Sequence, residues 1–308
     1  MKLSVPALRR GAKVTVISPA SYPQPEKLAK GVEALGRLGY LPWVGRHALS
    51  KAHYYFAGTT QARLEDLHAA FLDPATAAIF CSRGGYGCNY LLEGLDLGLI
   101  REHPKPFIAH SDMTCLQTWL LDKLGLVSFH GPMVAGDFSQ SEGIDEGSLL
   151  AALGGDPWFM GDASGLRVLR PGKASGILYG GCITLLAASL GTPYAPQTEG
   201  KLLFLEDRDV KPYQLDRLLR QLMLAGKFEG VTGLIFGEML DCVAPGQKPG
   251  LLDEVILRVL DWFPGPIGIG LRSGHVSRRN VTLAFGIKAE LHLERVPLLS
   301  FLGRATEK

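Results

Sequence analysis

Pro106-Phe107-Ile108-Ala109-His110-Ser111-Asp112-Met113-Thr114 reads as a buried strand that stops at Ser111 and turns at once into a helix, Cys115 to Lys123. A short, continuously apolar run is what a strand covered on both faces looks like. Where such a strand gives way to a helix, the side chain at the turn is held out beyond the end of the sheet. It sits beside backbone N–H groups that have no partner within the helix and that favour negative charge. Two roles are open to a serine there: a nucleophile whose reaction creates an oxyanion, or an ordinary helix N-cap.

Upstream of that stretch, strand and helix patterns alternate. Lys13 to Ser18 is a β-branched run ended by Pro19, and Glu26 to Leu38 carries Leu28, Val32, Leu35 and Leu38 at helical spacing. Tyr40 to Val44 reads as a strand, Gln61 to Leu72 as a helix, Ala77 to Cys81 as a strand and Asn89 to Leu95 as a helix; a further strand lies near Val127 to Phe129. The alternation predicts an α/β class with a parallel, doubly wound (Rossmann- or flavodoxin-like) sheet, whose ligand site lies beyond the carboxyl ends of the strands. Two loops fall there: His110 to Thr114, and Arg83-Gly84-Gly85-Tyr86-Gly87. The glycine loop has neither G-x-G-x-x-G nor Walker spacing, so it makes a weak phosphate cradle. It equally fits bare backbone amides brought close to a substrate carbonyl, or a tight turn that needs glycine. His130, closing the next strand, fits a substrate contact or a structural histidine.

The glycine-rich stretch after residue 136 predicts a helix over the apolar patch Leu149 to Leu153, then a break. The expected division is an N-terminal α/β domain over 1–155, a linker over 156–172, and a smaller, mixed, strand-rich C-terminal domain over 173–308. In the C-terminal part, Lys201 to Asp207 reads as a strand ending in two carboxylates, and Tyr213 to Ala225 as a helix with a leucine stripe. Ile267 to Leu271 leads to Gly274-His275, and three short strands close the chain. Glu206 and His275 share the position of Ser111, each where an apolar run meets a polar loop. Either is equally read as a cap, a surface charge or a loop residue; together with Ser111 they supply nucleophile, base and base-orienter, in a chain order that triads allow.

Bulk properties narrow the classes. The chain has 308 residues, 46% hydrophobic and 20% charged, with a formal net charge of +2, which offers no basic groove for nucleic acid and no membrane-surface patch. The five cysteines form no C-x-x-C pair and read as reduced, buried small hydrophobes. The histidines are dispersed without H-E-x-x-H, so no metal or other cofactor is expected. No signal-peptide core opens the chain and no apolar run of membrane-spanning length follows; the expectation is a soluble, cytoplasmic protein.

With those residues in place, the chain resembles the LD-carboxypeptidases, the muramoyl-tetrapeptide carboxypeptidases of peptidoglycan recycling. The blocks that carry the resemblance are Ser18-Pro19, Arg83 to Gly87, His110 to Thr114, His130-Gly131-Pro132-Met133, Gly180-Gly181, Leu205-Glu206-Asp207 with Pro212-Tyr213 and Asp216-Arg217, and Gly274-His275 with Asn280. Ala109 and Cys182 depart from it, standing where the family often has glycine and asparagine. The resemblance implies a metal-free serine peptidase with Ser111 as nucleophile, His275 as base and Glu206 as its acid. It implies an oxyanion hole from the backbone of Asp112 and of Gly84 or Gly85, a site between two domains, and a homodimer. The implied substrate is a cytoplasmic murein tetrapeptide, free or sugar-linked, that loses its terminal D-alanine. Its terminal carboxylate calls for a cation, for which Arg83, Arg272 and Arg278 are candidates, with Tyr86 a further substrate contact. Two alternatives stand beside this: a self-immunity relative cleaving a peptidyl-nucleotide antibiotic, and a non-catalytic nucleotide-binding α/β protein.

Overall fold

The computed structural model describes residues 2–307. Within them the chain builds two large sheets whose strand ends meet, and a small parallel pairing of Val5–Pro6 with Thr306–Glu307 that ties the two ends of the chain together.

The first sheet has six strands, in spatial order Leu283–Phe285, Ser128–His130, Phe107–Ala109, Thr76–Cys81, Lys13–Ile17 and Leu41–Val44. All neighbours are parallel except the first pair, which is antiparallel. The central strands are buried on both faces, as their unbroken apolar runs require. Helices cover them: Pro25–Arg37 buries Leu28, Gly31 and Leu35 on one stripe, and Thr114–Leu124 buries most of its length. The expected α/β architecture with a parallel N-terminal sheet is present.

The second sheet is mixed and has eight strands. Its centre is itself a parallel α/β unit: Gly172–Cys182, Lys201–Glu206, Gly233–Gly237 and Ile267–Leu271 run side by side. The helices Ile183–Ala188, Pro212–Leu224 and Leu251–Val259 connect them in sequence. Antiparallel strands flank this centre, with Arg167–Arg170 on one side and Lys288–Leu293, Leu298–Phe301 and Phe159–Met160 on the other.

Three sequence expectations are corrected. The 156–172 stretch is not an irregular linker, because its strands Phe159–Met160 and Arg167–Arg170 occupy opposite edges of the second sheet. The chain also returns late to the first sheet: Leu283–Phe285 pairs with Ser128–His130, so the C-terminal portion contributes an edge strand to the N-terminal sheet. Finally, the helix expected over 89–95 is a 3-10 segment, Cys88–Gly94, followed by a short α-helix Leu97–Glu102 whose N-cap carboxylate, Asp96, accepts from the Leu99 amide. No helix of the described residues is long and apolar enough to cross a membrane.

Candidate active site

The strand Phe107–Ala109 ends in an extended His110, and the backbone then reverses through Ser111 at φ +64°. That left-handed conformation costs a non-glycine residue about 1–2 kcal/mol and persists only where the surroundings enforce it. Several contacts do so. Gln117 at the foot of the following helix donates to the carbonyls of Ala109 and Phe129. The buried Asp112 carboxylate accepts from the Cys88 amide at 2.7 Å. Thr114 Oγ1 accepts the amide of Cys182 at 3.0 Å, which fastens the turn to the second sheet. Burial pushes the Asp112 carboxyl up to about 6. The helix Thr114–Leu124 starts from Met113 with no side-chain cap, so Ser111 is not its N-cap.

Across the turn lies Gly84. A Cβ built on it would fall 2.8 Å from both Cβ and Oγ of Ser111 and 3.5 Å from the amide nitrogen of Asp112, so any side chain at 84 collides with the serine. The glycine loop therefore lies against Ser111. It does not open a helix N-terminus toward a phosphate, since the Cys88 amide that starts the 3-10 segment is taken by Asp112.

Glu206 is the last residue of its strand, between Gly172–Cys182 and Gly233–Gly237, and is fully buried. Its Oε2 accepts two hydrogen bonds from one residue, His275: the ring Nδ1 at 2.8 Å and the backbone N–H at 2.9 Å. The loop that brings His275 there depends on Gly274, at φ +90°, where a Cβ would stand 2.6 Å from the Glu206 carboxyl carbon. Asn280 holds both sides of that glycine, accepting from its amide at 3.1 Å and donating to its carbonyl at 3.0 Å. Burial works against ionising Glu206, but the charge and hydrogen bond of His275 outweigh it and hold the carboxyl down at about 2. For His275, burial lowers the imidazole, while Glu206 more than reverses that and leaves it above its ordinary value. Since an ionised carboxylate only accepts, the proton on Nδ1 faces Glu206, and Nε2 is the nitrogen left free to act as a base.

Ser111, His275, Gly84, Gly85, Arg83 and His110 line one cleft of about 880 Å³ where the strand ends of the two sheets meet. Ser111 Oγ and His275 share this cleft without a hydrogen bond between them among the described contacts; such bonds commonly tighten only with substrate bound. Arg83 is exposed and donates to the Tyr22 carbonyl at 3.3 Å, and among the described residues no acid forms an ion pair with it. Sequence reasoning did not single out Lys27 and Arg208, which also line the cleft; Arg208 is engaged by Asp241 at 2.9 Å. Of the remaining candidates, Arg272 does not line the cleft, since its guanidinium donates to the Ala163 carbonyl. Tyr86 joins an exposed ring cluster with Tyr55, Phe56 and Tyr90 beside the loop. Arg278 lines a separate, smaller hollow.

Two further imidazoles surround the pair. His110 shares its Nδ1 with the Gly131 carbonyl at 2.9 Å and meets the His275 ring edge-on at 5.3 Å. His130 is fully buried, and burial lowers its imidazole to about 3 despite Glu206 close by. The signal for both was the one used for Ser111 and Glu206: each stands at the carboxyl end of a parallel strand. Among the described residues no group of three or more His, Cys, Asp or Glu is placed to hold a metal ion, and all five cysteines are free and buried.

The chain is similar to known proteins along most of its length. Residues 14–131 match the LD-carboxypeptidase N-terminal domain and residues 175–291 the LD-carboxypeptidase C-terminal domain. The chain is 38% identical over 294 residues to a probable murein peptide carboxypeptidase of Bacillus subtilis, covering 93% of this chain and 90% of that one. It is 35% identical to the murein tetrapeptide carboxypeptidase of Pseudomonas aeruginosa over 75% of this chain and 77% of the relative. Among solved structures, an MccF-like protein from Bacillus anthracis superposes with a TM-score of 0.88 at 26% identity, covering 97% of this chain and 99% of that one. A muramoyltetrapeptide carboxypeptidase from Oxalobacter formigenes superposes with a TM-score of 0.82 at 26% identity, covering 94% and 98%. A strained serine between two sheets and a carboxylate–imidazole pair across the same cleft thus sit in a chain that belongs to the LD-carboxypeptidase family.

Proposed function

We propose that the protein is a metal-free serine carboxypeptidase that hydrolyses the L,D-amide bond of a murein tetrapeptide and releases its terminal D-alanine. The observation that carries the reading is the Glu206–His275 pair, hydrogen-bonded at 2.8 Å and facing the cleft that Ser111 enters on a strained turn. The substrate class comes from the relatives, which are named for murein peptides. The protein then works in the cytoplasm on recycled peptides, as a homodimer.

In the reaction, Nε2 of His275 takes the hydroxyl proton as Ser111 attacks the carbonyl of the scissile bond. Glu206 holds the imidazole in the tautomer that leaves Nε2 free, and stabilises the imidazolium that forms. The tetrahedral oxyanion leans on the amide of Asp112 and on that of Gly84 or Gly85; in other serine hydrolases one such donor is worth about 3–4 kcal/mol. His275 next gives its proton to the departing D-alanine amine. Water, deprotonated by the same nitrogen, then releases the acyl group from Ser111. Arg83, exposed in the cleft and without an acid partner, meets the terminal carboxylate, with Tyr86 beside it.

A second reading has its own support. The chain is 26% identical over 311 residues to the microcin C7 self-immunity protein MccF of Escherichia coli. A hydrolytic centre of this kind serves an acyl-nucleotide substrate equally well. Mass spectrometry of products separates the two: a defined L,D-tetrapeptide should lose one D-alanine, while a peptidyl-adenylate analogue should remain intact. The reverse pattern would move the protein to the second reading, and turnover of neither would overturn both.

A further inference from the structure

Glu206 has two carboxylate oxygens, and the hydrolytic unit described above uses one. Oε2 takes both N–H groups of His275. Oε1 is buried and has no hydrogen-bond partner. Facing it at 4.0 Å is Nε2 of His130, which is likewise buried and without a partner. Each is costly to leave unpaired, and native structures rarely do so. A shift of about 1 Å closes the gap to a direct charge-assisted hydrogen bond.

The surroundings fix which nitrogen carries the proton. His130 Nδ1 lies 2.9 Å from Ser273 Oγ. The Ser273 hydroxyl has one proton to give, and its other acceptor, the His130 carbonyl, is farther away at 3.4 Å. When that proton goes to Nδ1, Nε2 bears the ring hydrogen and aims it at Oε1. In the opposite tautomer a nitrogen lone pair faces an ionised carboxylate, which is repulsive. The ring has little freedom to escape, packed at 5.1 Å on Phe204 and 5.2 Å on Phe285. Gly274 leaves the space for the meeting, since a Cβ there would stand 2.8 Å from His130 Cε1.

We propose that His130 is a positioning residue of the hydrolytic unit: a neutral N–H donor to Oε1 of Glu206 that fixes the carboxylate's orientation and takes up part of its charge. The proposal rests on the reading of Glu206 and His275 as base-orienter and base. The other ionisable groups that face this cluster are His110, from the turn before Ser111, and Asp137 and Asp207, which act on His275. Phe204 and Phe285 contribute no charge. With a second donor on Glu206, the carboxylate pulls less strongly on the His275 proton. Removing that donor therefore raises the pH at which His275 becomes a free base.

Two side chains separate this role from plain packing. Asparagine places its amide where Nδ1 stands, keeping Ser273 but losing the donor to Oε1; glutamine reaches the position of Nε2 and keeps that donor. His130→Asn should lower kcat/KM by roughly tenfold or more and move the acid limb of its pH profile up by roughly half a unit to one unit. His130→Gln should return the limb to its wild-type position. An Asn variant that loses rate with an unmoved limb would reduce His130 to a structural residue and overturn the proposal. Nitrogen-15 NMR of histidine-labelled wild-type protein decides the matter even if both variants misfold. The His130 ring should show hydrogen on Nε2 and stay neutral across roughly pH 5 to 9; hydrogen on Nδ1 would refute the role. Ser111→Ala, assayed alongside, keeps the two readings apart. Abolished turnover there upholds the hydrolytic unit, so that an unmoved limb then counts against His130 alone.

Discussion

The two halves of the site are held in place by opposite means. On the Ser111 side, position comes from backbone geometry: a left-handed residue between a strand and a helix, with Gly84 pressed against it and amide and hydroxyl contacts fastening the turn. On the Glu206 side, position comes from buried charge: a carboxylate wholly removed from water, whose Oε2 accepts two N–H groups of His275. The first half stores strain and the second half stores electrostatic energy. Substitutions on the two sides should therefore fail differently, one through misplacement and the other through the wrong protonation state.

The largest effect is expected on the charged side. Glu206→Gln replaces an acceptor with a group that donates as readily, so it allows the imidazole tautomer whose Nε2 carries hydrogen and cannot take the serine proton. In a related triad that change costs about 10⁴ in kcat, and steady-state kinetics on the tetrapeptide should show a loss of that order with the fold retained by circular dichroism. A fall of less than tenfold would mean that the carboxylate is not the orienter.

On the backbone side, Gly84→Ala pushes a methyl into Ser111, with the contact at 2.8 Å before relaxation. Displacement of a reacting atom by about 1 Å costs roughly 10² in rate. The melting temperature should fall as well, because overpacking typically costs about 1–3 kcal/mol. An alanine variant with full activity would show that the turn is looser than its contacts indicate.

The pH dependence of the proposed base follows from the charged side. In the proposed reaction His275 must be neutral to take the serine proton, and Glu206 raises its imidazole above the ordinary value of 6.5. The profile of kcat/KM should then rise about tenfold per pH unit up to a limb above 6.5. Stability moves as well, with opposite signs for the two partners. The His275 contribution is full below 6.5 and is lost as pH rises through the higher folded-state value. The Glu206 contribution is present above 4.5 and is lost as pH falls toward about 2. Urea midpoints measured across that range should therefore decline toward both ends.

The smallest effect is a gain. Ser111→Gly removes a left-handed penalty of about 1–2 kcal/mol, partly offset by the roughly 0.4–1 kcal/mol that glycine's freedom in the unfolded chain costs, so it should stabilise the protein by at most about 1 kcal/mol, read as a higher urea midpoint, while abolishing turnover. A destabilised glycine variant would mean that the serine side chain contributes packing that outweighs the strain.

Much of this was legible in the sequence. The parallel strands are buried on both faces, so Lys13–Ile17, Thr76–Cys81 and Lys201–Glu206 stand out as apolar runs, and the polar residue that closes each run falls at the carboxyl end of its strand. Position alone left Ser111, Glu206 and His275 each open to a cap or loop role, and the family resemblance is what joined them into the proposed unit. The rest lacked a local pattern. Phe159–Met160 is two residues long, so no periodicity marks it; Leu283–Phe285 falls within an expected closing strand, but its partner Ser128–His130 is distant in sequence, so no local pattern marks the pairing. The left-handed turn at Ser111 and the collision that keeps position 84 as glycine depend on which loops meet, and the sequence of either loop alone does not contain that. Arg272 looked like a cleft cation because it is near His275 in the chain, but its neighbour in space is the Ala163 carbonyl.

The central claim is that the two unlike halves act as one chemical unit, and the most direct test is the additivity of their loss. Ser111→Ala, His275→Ala and the double variant should be compared for kcat/KM on the tetrapeptide. Residues that act as a unit are strongly non-additive, so each single change should cost roughly 10⁴–10⁶ and the double variant should lie within about tenfold of the worse single. If the two losses multiply in the double variant, the serine and the imidazole act independently, and the account is wrong.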